Sequence, residues 1–138
     1  MIQLIVGNKG SGKTKRLIDM ANEAINTSNG NVVFIEKGLK LTYDVSHRAR
    51  LIDSDSYGIS GFDAFYGFIS GVCAGNYDVT DIFIDSTLKI GGKDLVAFSA
   101  FAAKVAALST QTETRMVFSV SCDVRDLPEG IEAEIIGL

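Results

Sequence analysis

Eight residues near the start of the chain combine glycines, a lysine and a threonine at a spacing that suits phosphate binding. They are Gly7, Asn8, Lys9, Gly10, Ser11, Gly12, Lys13 and Thr14. Glycines allow a tight loop whose backbone N–H groups converge on an anion. Lys13 would supply positive charge to the terminal phosphates, and the hydroxyl of Thr14 suits Mg²⁺. We therefore expect this glycine loop (residues 7–14) to bind the phosphates of a nucleotide.

A carboxylate that could hold the metal follows an apolar run later in the chain. Asp85 ends the segment DIFID, which begins at Asp81. Carboxylate oxygens bind Mg²⁺ directly or through water. Asp123 is the rival, because it also follows an apolar run, and the alternative for Asp85 is that it merely ends a strand or caps a helix. We expect Thr14 and Asp85 to be the metal-binding residues and Mg²⁺ to be the cofactor.

Strands and helices alternate around these two motifs. Apolar runs predict strands at 2–6, 31–35, 82–84, 116–122 and 131–136, and helical periodicity predicts helices at 13–27, 61–75 and 93–109. The core strands are apolar on both faces, which is typical of a parallel sheet covered by helices on both sides. Residues 39–45 and 48–53 alternate polar and apolar types, which predicts a hairpin or an edge strand. Residues 88–93 are expected to form a loop.

Composition limits the classes of protein to which the chain can belong. A chain of 138 residues with 46% apolar residues fits one folded domain over 1–138. The net charge of −4 argues against nucleic-acid binding. The two cysteines have no metal-site or disulfide spacing, and no apolar run is long enough for a membrane span. We expect a cytoplasmic protein.

The segments at 7–14 and 81–85 together resemble those of the P-loop NTPases. The layout is similar to the small RecA-like core shared by recombinases, rotary-ATPase subunits and, in a short form, thymidine kinases. The resemblance implies a three-layer α/β fold with a mainly parallel central sheet that binds ATP or GTP. No Asn-Lys-x-Asp guanine signature is present, so adenine is favoured.

A second resemblance rests on three stretches of the sequence. These stretches are IQLIVGNKGSGKT, VVFIEKG and IFIDS. They are similar to those of a group of small, functionally uncharacterised bacterial ATP-binding proteins, some of which are labelled pilus-retraction ATPases. Retraction ATPases are much longer and carry further acidic and histidine motifs, whereas this chain has one histidine. The resemblance therefore implies ATP binding rather than pilus retraction.

The first resemblance also suggests residues for catalysis. In recombinases and rotary ATPases a catalytic glutamate ends the strand after the P-loop helix, and Glu36 holds that place here. It would orient the attacking water, unless it is only a solvated strand exit. Ser121 ends a later strand, where it would sense the γ-phosphate or simply bond to backbone. Thymidine kinases carry a glutamate directly after the strand-end aspartate, but here that residue is Ser86, and their zinc-binding cysteines are absent.

Three further segments have open interpretations. The basic stretch 37–50 contains Lys37, Lys40, His47, Arg48 and Arg50. It is either a solvated edge or the source of an arginine that acts in trans on another molecule. Helix 93–109 is rich in alanine, which suggests a surface for self-association or for a protein partner, or reflects helix propensity alone. Lys89 and Lys93 flank two glycines and would either approach the phosphates or belong to an ordinary turn.

Three functions are compatible with these features. The first is a nucleotide switch or slow NTPase that acts with a partner. The second is a small-molecule phosphotransferase resembling a nucleoside kinase, and the third is a non-enzymatic interaction protein with a bound nucleotide. We rank them in this order because Ser86 disfavours the second and the complete glycine loop disfavours the third. We expect any hydrolysis to be slow and to depend on Glu36.

Overall fold

The computed structural model describes residues 2–138, which form an α/β fold around one sheet of six parallel strands. The strands are β1 (Ile2–Gly7), β2 (Asn31–Glu36), β3 (Arg50–Asp53), β4 (Val79–Ile84), β5 (Arg115–Ser121) and β6 (Glu134–Gly137). The helices are α1 (Lys13–Thr27), α2 (Phe62–Gly75), α3 (Thr87–Gly91) and α4 (Leu95–Thr112). The strand order is β3-β2-β4-β5-β1-β6. The predicted α/β class with a mainly parallel sheet is confirmed.

Helices cover both faces of the sheet. On one face, Leu17 and Ala21 of α1 pack with buried strand residues such as Phe34 and Phe83. On the other face, α2 and α4 pack an aromatic cluster against the strands, and Phe101 lies edge-on to Phe118. Full burial of each leucine or phenylalanine side chain in these clusters contributes roughly 1.5–3 kcal/mol. Burial on both faces explains why the core strands lack the polar alternation of a half-exposed sheet.

The strand order brings chemistry-bearing residues to one edge of the sheet. Strand β5 lies between β1 and β4, with Gly7 paired with Ser121 and Ile84 paired with Phe118. This register places Ser119 level with Asp85. The carboxyl ends of parallel strands form the edge at which ligands bind in open α/β sheets.

Of the hairpin or edge strand predicted over 39–45 and 48–53, the structure forms the edge strand and no hairpin. Residues 39–45 form turns, and only Arg50–Asp53 forms a strand, which pairs parallel to β2 at the sheet edge. Side chains at the ends of these strands hold the turns, because Asp53 accepts from the Gly38 amide at 2.7 Å and Glu36 accepts from two further amides. The amides that a hairpin would pair with another strand are therefore used by carboxylates.

Residues 88–93, expected as a loop, instead include the short helix α3. Ser86, just before α3, has a left-handed backbone with φ of 60°, a conformation that costs a non-glycine residue roughly 1–2 kcal/mol. Leu88 and Ile90 are buried in the core. Gly91 lies so close to the Phe62 ring that a Cβ atom would overlap it. Tertiary packing against α2 thus imposes a helix where the glycines predicted a loop.

Helix α4 is the one helix of residues 2–138 that is long and apolar enough to cross a membrane, with 18 residues and a mean hydropathy of 1.2. One third of its residues, 33%, are buried inside the fold. Phe98, Phe101 and Val105 belong to the core cluster beneath it. The Asp94 carboxylate caps the start of α4 by accepting from the Val96 and Ala97 amides. One side of α4 therefore belongs to the core of the fold.

Candidate functional site

The glycine loop connects β1 to α1 at the carboxyl edge of the sheet. Gly10 and Gly12 have φ of 86° and 92°, in the left-handed region that side chains disfavour. At Gly7, a Cβ atom would lie 2.9 Å from the Leu138 carbonyl oxygen, so this position also requires glycine. The loop therefore adopts a conformation that depends on its glycines, and the N-terminal end of α1 adds a positive dipole to it.

Lys13 is folded back over the glycine loop. Its side chain is only 7% exposed, and Nζ donates to the Asn8 carbonyl oxygen at 3.1 Å. Burial lowers the pKa of Lys13, while the Asp85 carboxylate opposes this shift. A phosphate that replaced the Asn8 carbonyl as acceptor would bring negative charge to a partly desolvated ammonium group, where charge-assisted hydrogen bonds are strongest.

Thr14 and Asp85, predicted as the metal pair, meet directly. The Thr14 hydroxyl donates to the two carboxylate oxygens of Asp85, with an O–O distance of 3.3 Å to each. A hydroxyl and a carboxylate are oxygen ligands of the kind that Mg²⁺ binds. Residues 2–138 contain no cluster of three His, Cys, Asp or Glu side chains suited to a metal. An ion here would therefore take its other ligands from phosphates and water, as Mg²⁺ usually does at nucleotide sites.

Ser119 is a site residue that the sequence analysis missed. Its hydroxyl donates to Asp85 Oδ1 at 2.8 Å and accepts from the Ser86 amide at 2.9 Å. Ser119 is fully buried, whereas the predicted Ser121 is exposed at the rim of the site and has no hydrogen bond to Asp85. A signal was present, because a serine inside the otherwise apolar strand MVFSVS needs a hydrogen-bond partner.

A cleft of about 830 Å³ opens above these groups. Its charged lining consists of Lys9, Lys13, Lys15, Lys89 and Lys93 together with one carboxylate, Asp85. Leu88, Leu95 and Cys122 form an apolar wall. In a protein with a net charge of −4, this local excess of lysines concentrates positive potential where the glycine loop faces solvent. The cleft suits a polyanionic ligand.

Glu36 lies at the end of β2, beside Asp85, but its carboxylate is used within the protein. It is 3% exposed and accepts from the Lys40 and Leu41 amides at 3.1 and 3.2 Å. Glu36 is not among the residues that line the cleft. Its location at the carboxyl edge agrees with the sequence analysis, and its two hydrogen bonds give it a structural role in the turn. A catalytic role for Glu36 stays a prediction.

The electrostatics of Glu36 predict a pH-dependent stability. Burial raises the pKa of Glu36 above its usual value of 4.5, the Leu41 and Lys40 amides partly lower it, and Asp85 and Asp53 raise it. The folded state therefore retains this proton more strongly than the unfolded chain does. The contribution of Glu36 to the free energy of unfolding is therefore complete below about pH 4.5. It is lost as the pH rises through the raised pKa of Glu36 in the folded state.

We expect wild type to lose stability relative to Glu36→Gln over that pH range. Urea unfolding at a series of pH values measures the free energy of unfolding of both proteins. Taking the difference between the two proteins cancels the contributions of the other titrating groups. Glu129→Gln is the matched control, because Glu129 is exposed and has no side-chain hydrogen bond among residues 2–138. Parallel stability curves for wild type and Glu36→Gln would show that this carboxyl group titrates normally.

Asp123, the rival metal residue, does not line the cleft and is paired with Arg125. It accepts from Arg125 Nε and Nη2 at 3.1 and 2.8 Å. This hydrogen bonding by Arg125, with a smaller effect of Asn8, lowers the pKa of Asp123 to about 2. The arrangement favours Asp85 as the carboxylate for a metal.

The arginines of the stretch 37–50 lie far from the cleft of their own chain. Arg48 Nη2 donates to the Ile25 carbonyl at 3.0 Å and to Asn26 Oδ1 at 3.1 Å, near the end of α1. A helix of this length spans roughly 22 Å, and the glycine loop is at its other end. Arg50 begins β3, away from the carboxyl edge. An arginine finger from this stretch would thus need to act on a second molecule, and that role stays a prediction.

Comparison of the sequence with models of protein families and with curated proteins finds no match. The geometry of the glycine loop, Asp85 and the cleft above them therefore carries the functional assignment.

Proposed function

We propose that the protein is a P-loop NTPase with a RecA-like core that binds ATP with Mg²⁺ as a nucleotide switch or slow NTPase. The observation that carries the proposal is the contact between the Thr14 hydroxyl and the Asp85 carboxylate, which are 71 residues apart in sequence. Both line the same cleft as Lys13 and the glycine loop, whose backbone suits phosphate. A hydroxyl, a carboxylate and a lysine beside such a loop supply the groups that a Mg²⁺–polyphosphate complex needs.

The RecA-like part of the proposal rests on the sequence resemblance. The six-stranded parallel sheet with helices on both faces is compatible with it. The preference for ATP over GTP rests on the missing guanine signature.

The lining of the cleft favours a switch or slow NTPase over a phosphotransferase. Transfer to a hydroxyl acceptor is helped by a base that accepts its proton. Asp85 is the only carboxylate in the cleft lining, and its oxygens already accept from Thr14 and Ser119. Glu36 is used in the turn after β2, and Ser86 replaces the glutamate of thymidine kinases. The resulting shortage of a base predicts slow chemistry.

The hydrogen bonds around Ser119 support the switch. Ser119 joins Asp85 to the Ser86 amide, and Ser86 directly precedes α3. A change of ligand at Asp85 would therefore alter the contacts at the start of α3. A switch requires such a link between the ligand and a segment that contacts other parts of the protein.

The partner surfaces remain proposals. Helix α4 exposes Val96, which is 75% accessible, and several alanines on its outer side. The stretch 37–50 is the alternative, since Leu39 and Tyr43 are exposed there. Either surface would serve a protein partner or a second copy of the chain.

Calorimetric titration with ATP, GTP and ADP, in Mg²⁺ and in EDTA, tests the proposal. We expect ATP to bind more tightly in Mg²⁺ than in EDTA, and slow release of phosphate in single-turnover assays. Addition of small hydroxyl acceptors should leave the rate unchanged. Failure of every nucleotide to bind would refute the proposal, and rapid transfer to an acceptor would favour a phosphotransferase.

A further inference from the structure

Two lysines in the cleft have no function in the proposal so far. Lys89 lies in α3, and Lys93 follows α3 in the turn before α4. Both line the same cleft as the glycine loop. Within residues 2–138, neither side chain has a hydrogen bond or an ion pair, whereas Lys15 is paired with Asp19 at 2.6 Å. The two ammonium groups are therefore available to a ligand.

Helix α3 holds Lys89 on a rigid support. The residues on either side of Lys89, Leu88 and Ile90, are buried in the core. The Ile90 carbonyl accepts from the Gly61 amide at 3.0 Å, which ties α3 to the start of α2. With its neighbours directed inward, Lys89 is directed to the solvent side and the cleft. A preorganised support reduces the entropy that is lost when a ligand binds.

Gly92 sets the direction of the chain that leads to Lys93. Its φ of 123° lies in a region open mainly to glycine. The turn ends α3 and returns the chain to the cleft rim, where Lys93 and Leu95 both contribute to the lining. The two lysines thus reach the cleft from a chain segment other than the glycine loop.

The charge balance of the site leaves these lysines for the terminal phosphate. Lys13 and Asp85 carry opposite charges. Lys15 is paired with Asp19, and Lys9 belongs to the glycine loop itself. A Mg²⁺–nucleoside triphosphate carries about one more negative charge than the Mg²⁺–diphosphate, and that charge lies on the terminal phosphate. Additional cations near that phosphate would favour the triphosphate selectively.

We propose that Lys89 and Lys93 bind the terminal phosphate of a nucleoside triphosphate and make the site select triphosphate over diphosphate. The proposal rests on the proposed function, because it requires a nucleotide on the glycine loop. Lys89 and Lys93 would thus provide, within one chain, the positive charge that an arginine acting in trans from a second molecule would provide. Selection between the two nucleotides is what a nucleotide switch requires, since the states must differ in affinity.

Binding of Mg²⁺–ATP and Mg²⁺–ADP to Lys89→Met and Lys93→Met tests the assignment. Each variant removes the charge and retains most of the side chain. We expect the Kd for ATP to rise about tenfold in each variant, and the Kd for ADP to change less than twofold. Lys89→Arg should retain most of the ATP affinity. Lys40→Met is the matched control, because Lys40 is exposed, lies outside the cleft lining and should change neither constant.

The outcomes separate this inference from the proposed function. Unchanged ADP binding shows that each variant is folded with an intact glycine loop. If wild type binds both nucleotides and the variants keep its ratio of ATP to ADP affinity, the assignment of the two lysines is refuted and the proposed function stands. If wild type binds no nucleotide, both are refuted.

Discussion

Replacement of Lys13 by alanine is expected to weaken Mg²⁺–ATP binding by about 10- to 150-fold, while the fold survives. Lys13 is a mostly buried residue beside the glycine loop, and the only hydrogen bond of its ammonium group within residues 2–138 is to the Asn8 carbonyl. Loss of a charge-assisted hydrogen bond in a partly desolvated site costs about 1.5–3 kcal/mol. No core contact depends on the lysine charge.

Calorimetric titration of ATP into wild type and Lys13→Ala measures this effect. Thermal unfolding of both proteins without nucleotide verifies that the variant remains folded. Lys40→Ala is the control for removal of a positive charge elsewhere on the surface. Equal affinities for wild type and Lys13→Ala would show that phosphates do not bind at the glycine loop.

Replacement of Asp85 by asparagine is expected to weaken ATP binding by about 10- to 150-fold in Mg²⁺ and only slightly in EDTA. In the proposed site the carboxylate would supply negative charge to Mg²⁺, so we expect its contribution to binding only when the metal is present. Asparagine retains one acceptor oxygen for the hydroxyls of Thr14 and Ser119, which now donate to Asp85. The variant should therefore keep the fold of the site.

Paired titrations in Mg²⁺ and in EDTA distinguish a metal role from a structural one. Asp123→Asn is the matched control, because Asp123 also follows a core strand but is paired with Arg125. An equal loss in both solutions would assign Asp85 a structural role. If Asp123→Asn instead weakens ATP binding selectively in Mg²⁺, the metal site would be assigned to Asp123.

The two predictions depend on residues that the sequence already indicated, because their signals are local. The glycine loop follows an apolar strand and precedes an amphipathic helix, and α1 has the predicted bounds Lys13–Thr27. Residues buried on both faces of a sheet form continuous apolar runs, so β1, β2, β4 and β5 are visible in the sequence as well. Asp85 follows one of these runs directly.

Other features were decided by contacts between distant segments. The turns over 39–45 form because Glu36 and Asp53 accept backbone amides that a hairpin would have paired. Helix α3 forms because Leu88 and Ile90 are buried against α2 and the sheet. Local alternation and a glycine pair were misleading in these two places, since tertiary contacts override weak propensities.

Short-range spacing and apolar runs were enough to predict the α/β class, the glycine loop and the aspartate that follows β4. The position of β5 between β1 and β4 is seen only in the folded protein, and it makes Ser119 rather than Ser121 the residue that contacts Asp85. The fold also brings Lys89 and Lys93 to the cleft and Arg48 to the end of α1. Strand order and helix packing bring residues together across long sequence separations, and no local pattern encodes that proximity.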